Sequence, residues 1–186
     1  MKKYIYAVLL VLTGILTTQA QRMIPGKKGF EINAGSLSAD HLWRNYYLSL
    51  GMTVNEKNGS YQLWALEYSH QYFRYKELRL PLETYTVEGG YSFFLLGDAR
   101  RNVSLNAALT GVLGYESINR GEALLPDGAK IISEDSFIYG AGGRLSFETY
   151  LSDHLVLLLQ GRIKALWGTD LEQFRPSAGV GLRFNF

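Results

Sequence analysis

The chain contains no cysteine. That excludes disulfide staples, thiolate metal centres and the lipidated cysteine that follows a bacterial lipoprotein signal. Proline is scarce, with 4 in 186 residues, and no low-complexity linker is present. Heptads, repeats of solenoid length and apolar runs of about 20 residues are also missing, which leaves no coiled coil, repeat array or membrane-spanning helix. Neither a metal-ligand set, a phosphate-cradling P-loop nor a dinucleotide fingerprint occurs, so no cofactor is expected.

Net charge is the last absence. The formal +2 comes from 19 basic against 17 acidic residues. Lys2 and Lys3 lie in an amino-terminal segment with the order of a secretory signal: a charged start, an apolar run from Tyr4 to Leu16, then Thr17-Thr18-Gln19-Ala20. The apolar run is too short for an anchor helix, so residues 1–20 are expected to be removed by cleavage between Ala20 and Gln21. Without those two lysines, 17 bases face 17 acids. A neutral mature chain gives no support for electrostatic nucleic-acid binding, and no direct contact with nucleic acid is expected.

What is present is alternation with period two, the pattern of strands with unlike faces. In the closing residues Ala178, Val180, Leu182, Phe184 and Phe186 share an apolar face, while Ser177, Gly179, Gly181, Arg183 and Asn185 share the other. The same division predicts strands over Phe30–Ser36, Asn45–Val54, Tyr61–His70, Glu83–Leu95, Asn102–Glu116, Ser136–Tyr150 and Leu155–Trp167. Eight such strands match an all-β, eight-stranded antiparallel transmembrane barrel of the outer-membrane type, with apolar residues toward lipid and polar residues inside. A soluble barrel or sandwich also alternates, but it turns its charged face to water. The signal, the aromatic residues at strand ends (Trp43 and Trp167; Phe94, Tyr150, Phe184 and Phe186) and the connections favour the membrane form. Expected connections alternate between long (Leu37–Arg44, Gln71–Leu82, Ser117–Asp135, Gly168–Phe174) and short (Asn55–Ser60, Leu96–Arg101, Leu151–Asp153). Residues 21–29 are then a short periplasmic segment, residues 30–186 the barrel, and both termini are periplasmic.

The interior face carries Glu31, Glu67, Glu88, Glu116 and Glu148 together with Arg144, Arg162, Lys164 and Arg183. An eight-stranded barrel is just wide enough for its own side chains, so these read as a paired plug in preference to an ion path. The adjacent Ser69 and His70 suggest a hydrolase only superficially, because neighbours in a strand face opposite sides and Glu67 shares the side of Ser69. His41 and His154 read as loop and membrane-edge residues. The glycines Gly140, Gly142, Gly143, Gly179 and Gly181 lie inside strands, where they allow close backbone packing.

Gln71–Leu82 mixes aromatic and basic residues and reads as a solvated outer loop. Ser117–Asp135 carries Leu124, Leu125, Pro126, Ile131 and Ile132, an apolar cluster suited to partner contact.

Taken together, Thr17–Gln21, the following Arg22-Met23-Ile24-Pro25-Gly26-Lys27-Lys28-Gly29-Phe30-Glu31, and a barrel of this length ending Gly181-Leu182-Arg183-Phe184-Asn185-Phe186 resemble the TraO family. These are conjugal transfer proteins of Bacteroides-type conjugative transposons. The resemblance covers essentially the whole chain and carries no catalytic residue set. It implies a non-enzymatic outer-membrane component of a type IV secretion-like mating apparatus, a structural or scaffold part and not the DNA pore, in contact with other transfer proteins and with outer-membrane lipid and lipopolysaccharide; the residues by themselves also fit a general outer-membrane adhesion or integrity barrel and, less well, a lipid-modifying barrel enzyme. The terminal Phe186, with Val180, Leu182 and Phe184 on its face, resembles the signal read by outer-membrane assembly machinery.

Overall fold

The structure is a computed structural model that describes residues 24–37, 44–75, 78–98, 102–118, 136–169 and 171–186, with side chains for all of these but 73–79. The signal segment with its Ala20–Gln21 cleavage point, residues 21–23, His41, Trp43 and the cluster Leu124, Leu125, Pro126, Ile131 and Ile132 lie outside the described residues.

The alternating segments fold as β1 (Lys28–Ser36), β2 (Tyr46–Asn55), β3 (Tyr61–Tyr75), β4 (Leu78–Gly97), β5 (Val103–Ile118), β6 (Ser136–Tyr150), β7 (Leu155–Trp167) and β8 (Phe174–Asn185). Each pairs antiparallel with its chain neighbour, and β8 returns to β1, closing an eight-stranded barrel. Closure leaves no unpaired edge within the wall, as a membrane span requires, because hydrocarbon offers no partner for a stray N–H or C=O. The pleat then sorts the side chains. Leu50, Leu66, Leu109, Leu145, Leu159 and Val180 are more than half exposed on the outside, whereas Glu31, Glu116, Glu148 and Arg183 are buried inside. In water that outer wall would be a large unfavourable apolar surface; in lipid it is the matched one.

Glycine solves two local packing problems in the wall. Gly35 and Gly179 are register partners on β1 and β8, and a Cβ on either would run into Tyr47, whose ring fills the lumen beside them. On the outside Trp64 lies over its register partner Gly89, where a Cβ would come within 2.6 Å of the indole.

Two expectations are corrected. The segment Gln71–Leu82 is not a loop: β3 continues to Tyr75 and β4 starts at Leu78, the two pairing down to Tyr75↔Leu78. Its mixture of aromatic and charged residues suited solvent, but a two-strand ribbon above the membrane is also solvated and needs no buried face. Beyond Tyr46↔His70 and Leu82↔Ile118 this hairpin pairs only with itself. The alternation of connection lengths therefore fails at this point, and the projection is made of strand. Tyr150 is also no part of an outer aromatic girdle. Its even number puts it on the inner face of β6, where it is buried with Val156 and Leu158. The remaining strand limits move less; β1 begins at Lys28, two residues before the expected Phe30.

The connections β2–β3, β4–β5 and β6–β7 share one end with Ile24 and Phe186, the first and last described residues, here called the terminal end; the opposite end is called the loop end. At the terminal end Phe186 N–H donates to Lys28 O (2.9 Å) and Lys28 N–H to Phe186 O (3.3 Å), which carries the β1–β8 seam to the last residue.

Candidate functional site

The lumen holds three groups of ion pairs, ordered from terminal end to loop end. In the first, Arg183 of β8 donates through Nε to Glu31 Oε1 (2.7 Å) and through Nη1 to Glu148 Oε2 (2.9 Å). Glu31 and Arg183 are direct register partners across the closing seam. Arg144 reaches Glu31 Oε2 at 3.2 Å. Tyr61 completes the group: its hydroxyl donates to Glu148 Oε1 (2.6 Å), accepts from Arg144 Nη2 (3.2 Å), and its ring lies 4.2 Å beneath the Arg183 guanidinium.

The second group sits in the middle. Arg162 contacts Glu67 (2.6 Å) and Glu88 (2.8 Å), with its guanidinium 4.7 Å over the Tyr47 ring. Lys164 contacts the same two carboxylates at 2.6 and 2.5 Å and donates to Thr86 Oγ1 at 3.2 Å. The third group, near the loop end, pairs Glu116 with Arg175 (2.6 Å); Thr169 Oγ1 donates to the other carboxylate oxygen at 2.7 Å.

The nine charged residues named from the sequence are thus all in the lumen and all paired. The structure adds Arg175, which sequence reading missed by ending the seventh connection at Phe174. Two signals were available: Arg175 has the parity of Arg183, and five acids had been set against only four bases. With Arg175 each group is neutral by itself, since each carboxylate has a matching cation. Such neutrality matters because an unpaired charge withdrawn from water costs several kcal/mol, on the order of 3–5 kcal/mol when one partner is deleted.

The pairing also has a direction around the wall. All five bases belong to β6, β7 and β8, while four of the five acids come from β1, β3, β4 and β5. Acidic and basic walls therefore face each other across the lumen. Arg144 and Arg162 are register neighbours, as are Lys164 and Arg175; each like-charged pair is separated because its members reach different carboxylates. Buried apolar clusters pack among these groups, Tyr150, Val156 and Leu158 level with the first and Val112, Ile138 and Leu166 on the near side of Glu116. A cavity of about 10 Å³ remains among Asn33, Ser49, Glu88, Arg144, Arg162 and Lys164, room for roughly one water.

Neither described histidine forms a site with Ser69. His70 is on the outer side of β3, buried between Tyr46 (ring centroids 5.7 Å apart) and Tyr72 (4.8 Å). Ser69 faces the other way. His154 is exposed in the β6–β7 turn. Among the described residues no group of three or more His, Asp or Glu is placed to hold a metal.

The family model for conjugative transposon protein TraO matches residues 24–186. The chain belongs to the TraO family. No curated protein matches the sequence significantly. Among solved structures, this TraO-family chain is similar to Neisserial surface protein A, with 13% identity over 86% of this chain and 96% of the other at a TM-score of 0.57. It is likewise similar to Ail, the attachment invasion locus protein of Yersinia pestis, solved in complex with the heparin analogue sucrose octasulfate: 14% identity, 88% and 100% coverage, TM-score 0.55. At these identities the likeness concerns the fold, an outer-membrane-type barrel of eight strands.

Proposed function

We propose that this TraO-family chain is a scaffold of the conjugative transfer apparatus, seated in the bacterial outer membrane, and not the conduit for DNA. The observation that carries the second half is the filled lumen. Among the described residues three neutral ion-pair groups and buried apolar clusters occupy the lumen, with a cavity of about 10 Å³ among them, whereas single-stranded DNA needs a channel far wider than an eight-stranded barrel provides. Family membership supports the first half.

On this reading the signal of residues 1–20 is removed, both termini lie in the periplasm, and the terminal end meets other transfer proteins. The loop end, including Leu124, Leu125, Pro126, Ile131 and Ile132 and the projecting β3–β4 hairpin, faces lipopolysaccharide and the recipient cell. Phe186, with Phe184, Leu182 and Val180, serves as the signal for the assembly machinery. The role is non-catalytic, in keeping with Ser69 and His70 on opposite faces. The test is transfer frequency from a donor lacking the gene and from the same donor complemented in trans. Loss on deletion with restoration on complementation is the expected result, and unchanged transfer would refute the proposal. An altered lipid A profile in S69A/H70A cells would instead point to an enzyme.

A further inference from the structure

Toward the loop end the outer wall changes character in steps, and the steps differ around the barrel. On β1 to β5 the strand registers stack three rows of outward-facing residues. The lowest, Ile32, Leu50, Leu66, Val87 and Leu113, is apolar throughout. The next, one pleat nearer the loop end, sets Tyr68, Tyr85 and Tyr115 side by side. The third carries Ser36, Tyr46, His70, Glu83 and Ser117. On these strands neither upper row contains a lysine or arginine.

The rest of the circumference has no such polar row. At the same end β6, β7 and β8 turn Phe137, Tyr139, Trp167 and Phe174 outward, with Tyr139 and Trp167 stacked at 6.3 Å, and no charged side chain faces outward along these three strands. An aromatic belt as such marks a membrane boundary. Tyrosines topped by a histidine and a glutamate on one side of the barrel alone are a more specific feature.

His70 points to a ligand independently. It faces outward yet is only 9% exposed, enclosed by the Tyr46 and Tyr72 rings, and its Nδ1 has no hydrogen-bond partner among the described residues. An unpaired polar atom is costly at a lipid boundary. Tyr68 extends the enclosure, 6.3 Å from Tyr46 and 5.2 Å from Tyr85, and the Tyr85 hydroxyl lies 3.5 Å from Glu83 Oε2. Tyr72, Tyr85 and Tyr115 are themselves exposed, which leaves ring surface open to a ligand.

We propose that this sector binds the sugar headgroup of a glycolipid in the surrounding leaflet. The acyl chains lie along Leu50, Leu66 and Val87, a sugar ring rests on Tyr68 and Tyr85, and its hydroxyls meet His70 and Glu83. The inference deepens the outer-membrane reading above and rests on its placement of the loop end. A sugar ring has apolar C–H faces that suit aromatic rings, and a hydroxyl edge. A hydroxyl both donates and accepts, so it satisfies the His70 nitrogen in either tautomer and the Glu83 carboxylate too. A phosphate would find no cation in either row and would meet Glu83 instead. The apolar row directly beneath continues the lipid-facing wall, which selects a tailed ligand of the membrane itself over a free saccharide.

The mature barrel in a neutral detergent provides the test, with binding of rough-form lipopolysaccharide measured by native mass spectrometry. Three comparison ligands separate its parts: the same lipopolysaccharide stripped of phosphate, its oligosaccharide stripped of acyl chains, and phosphatidylglycerol. The phosphate-free form should bind within about threefold of the parent, and the other two about tenfold or more weakly, since each lacks half of the contact. Y68A/Y85A should lose about tenfold in affinity, whereas F137A/F174A, in the apolar sector, should lose nothing measurable. Heat-modifiable gel mobility checks that each variant is folded. H70F, which keeps a ring and removes both nitrogens, serves if Y68A/Y85A is not, and should lose about threefold or more. Lost binding on removal of phosphate, equal binding of phosphatidylglycerol or of the free oligosaccharide, equal losses in the two sectors, or unchanged binding by the folded variants would each overturn the proposal. The two readings fail separately: lost transfer on gene deletion with no sugar-dependent binding removes only the glycolipid site, whereas unchanged transfer with binding confined to the tyrosine sector removes only the conjugation role.

Discussion

Arg183 is held by two carboxylates and an aromatic face, and its side chain is 1% exposed. Replacing it with methionine keeps much of the volume but leaves Glu31 to Arg144 alone and Glu148 without a cation, so R183M should lower stability by about 3–5 kcal/mol. The midpoint of urea unfolding in lipid vesicles measures this, and a loss below about 1 kcal/mol would mean that water reaches the plug. At the loop end, Glu116 and Arg175 pair one to one, apart from the two larger groups, so their coupling can be read by a double-mutant cycle. E116Q and R175M should each destabilise the barrel, while E116Q/R175M should recover most of the loss because neither charge is left without its partner. Additive losses would show that the pair does not interact. At this scale the sequence was informative about which side of the wall a residue takes. It was silent about Tyr61 and Tyr47 as ring platforms under arginines, because their hydrophobicity reads as readily outward as inward.

Beyond His70 and Leu82 the β3–β4 hairpin pairs with no third strand. Its removal should not touch the barrel. Replacing residues 72–81 with a two-residue Asn-Gly turn between the register partners Gln71 and Leu82 should leave the heat-modifiable gel shift intact and the unfolding midpoint within about 1 kcal/mol of the parent, since Asn-Gly suits a tight hairpin. A collapse of the folded fraction would show that the ribbon braces the loop end. Period-two alternation located the strands, because a pleat forces it wherever one face meets lipid and the other a polar lumen. It could not locate where β3 and β4 stop. Above the membrane both faces of a ribbon are wet, so composition no longer distinguishes strand from loop. Tyr150 illustrates the converse: an aromatic near a strand end suggested a girdle, yet its parity with Glu148 and Ser146 decides the inward face.

In the whole barrel the filled lumen and the closed seam have separate consequences. The plug predicts that purified protein in a planar bilayer passes no stable conductance steps; reproducible steps would reopen the ion-path reading and weaken the argument that this is no conduit. The seam depends on Phe186, whose backbone makes two bonds with Lys28 and whose exposed ring continues the apolar face of β8. Deleting Phe186 should reduce the amount assembled in cells while protein refolded in vitro still shifts on a gel, which separates recognition during assembly from intrinsic stability. An equal defect in both settings would make the residue merely structural. The sequence by itself determined the architecture and the two faces of the wall, because both follow from periodicities local to each strand and from the opposite solvents on its two sides. It also fixed the balance of five acids and five bases, once Arg175 is counted. Only the tertiary structure decided which acid meets which base, since that depends on the strand registers and on closure of β8 against β1, which bring residues more than a hundred positions apart within hydrogen-bonding distance.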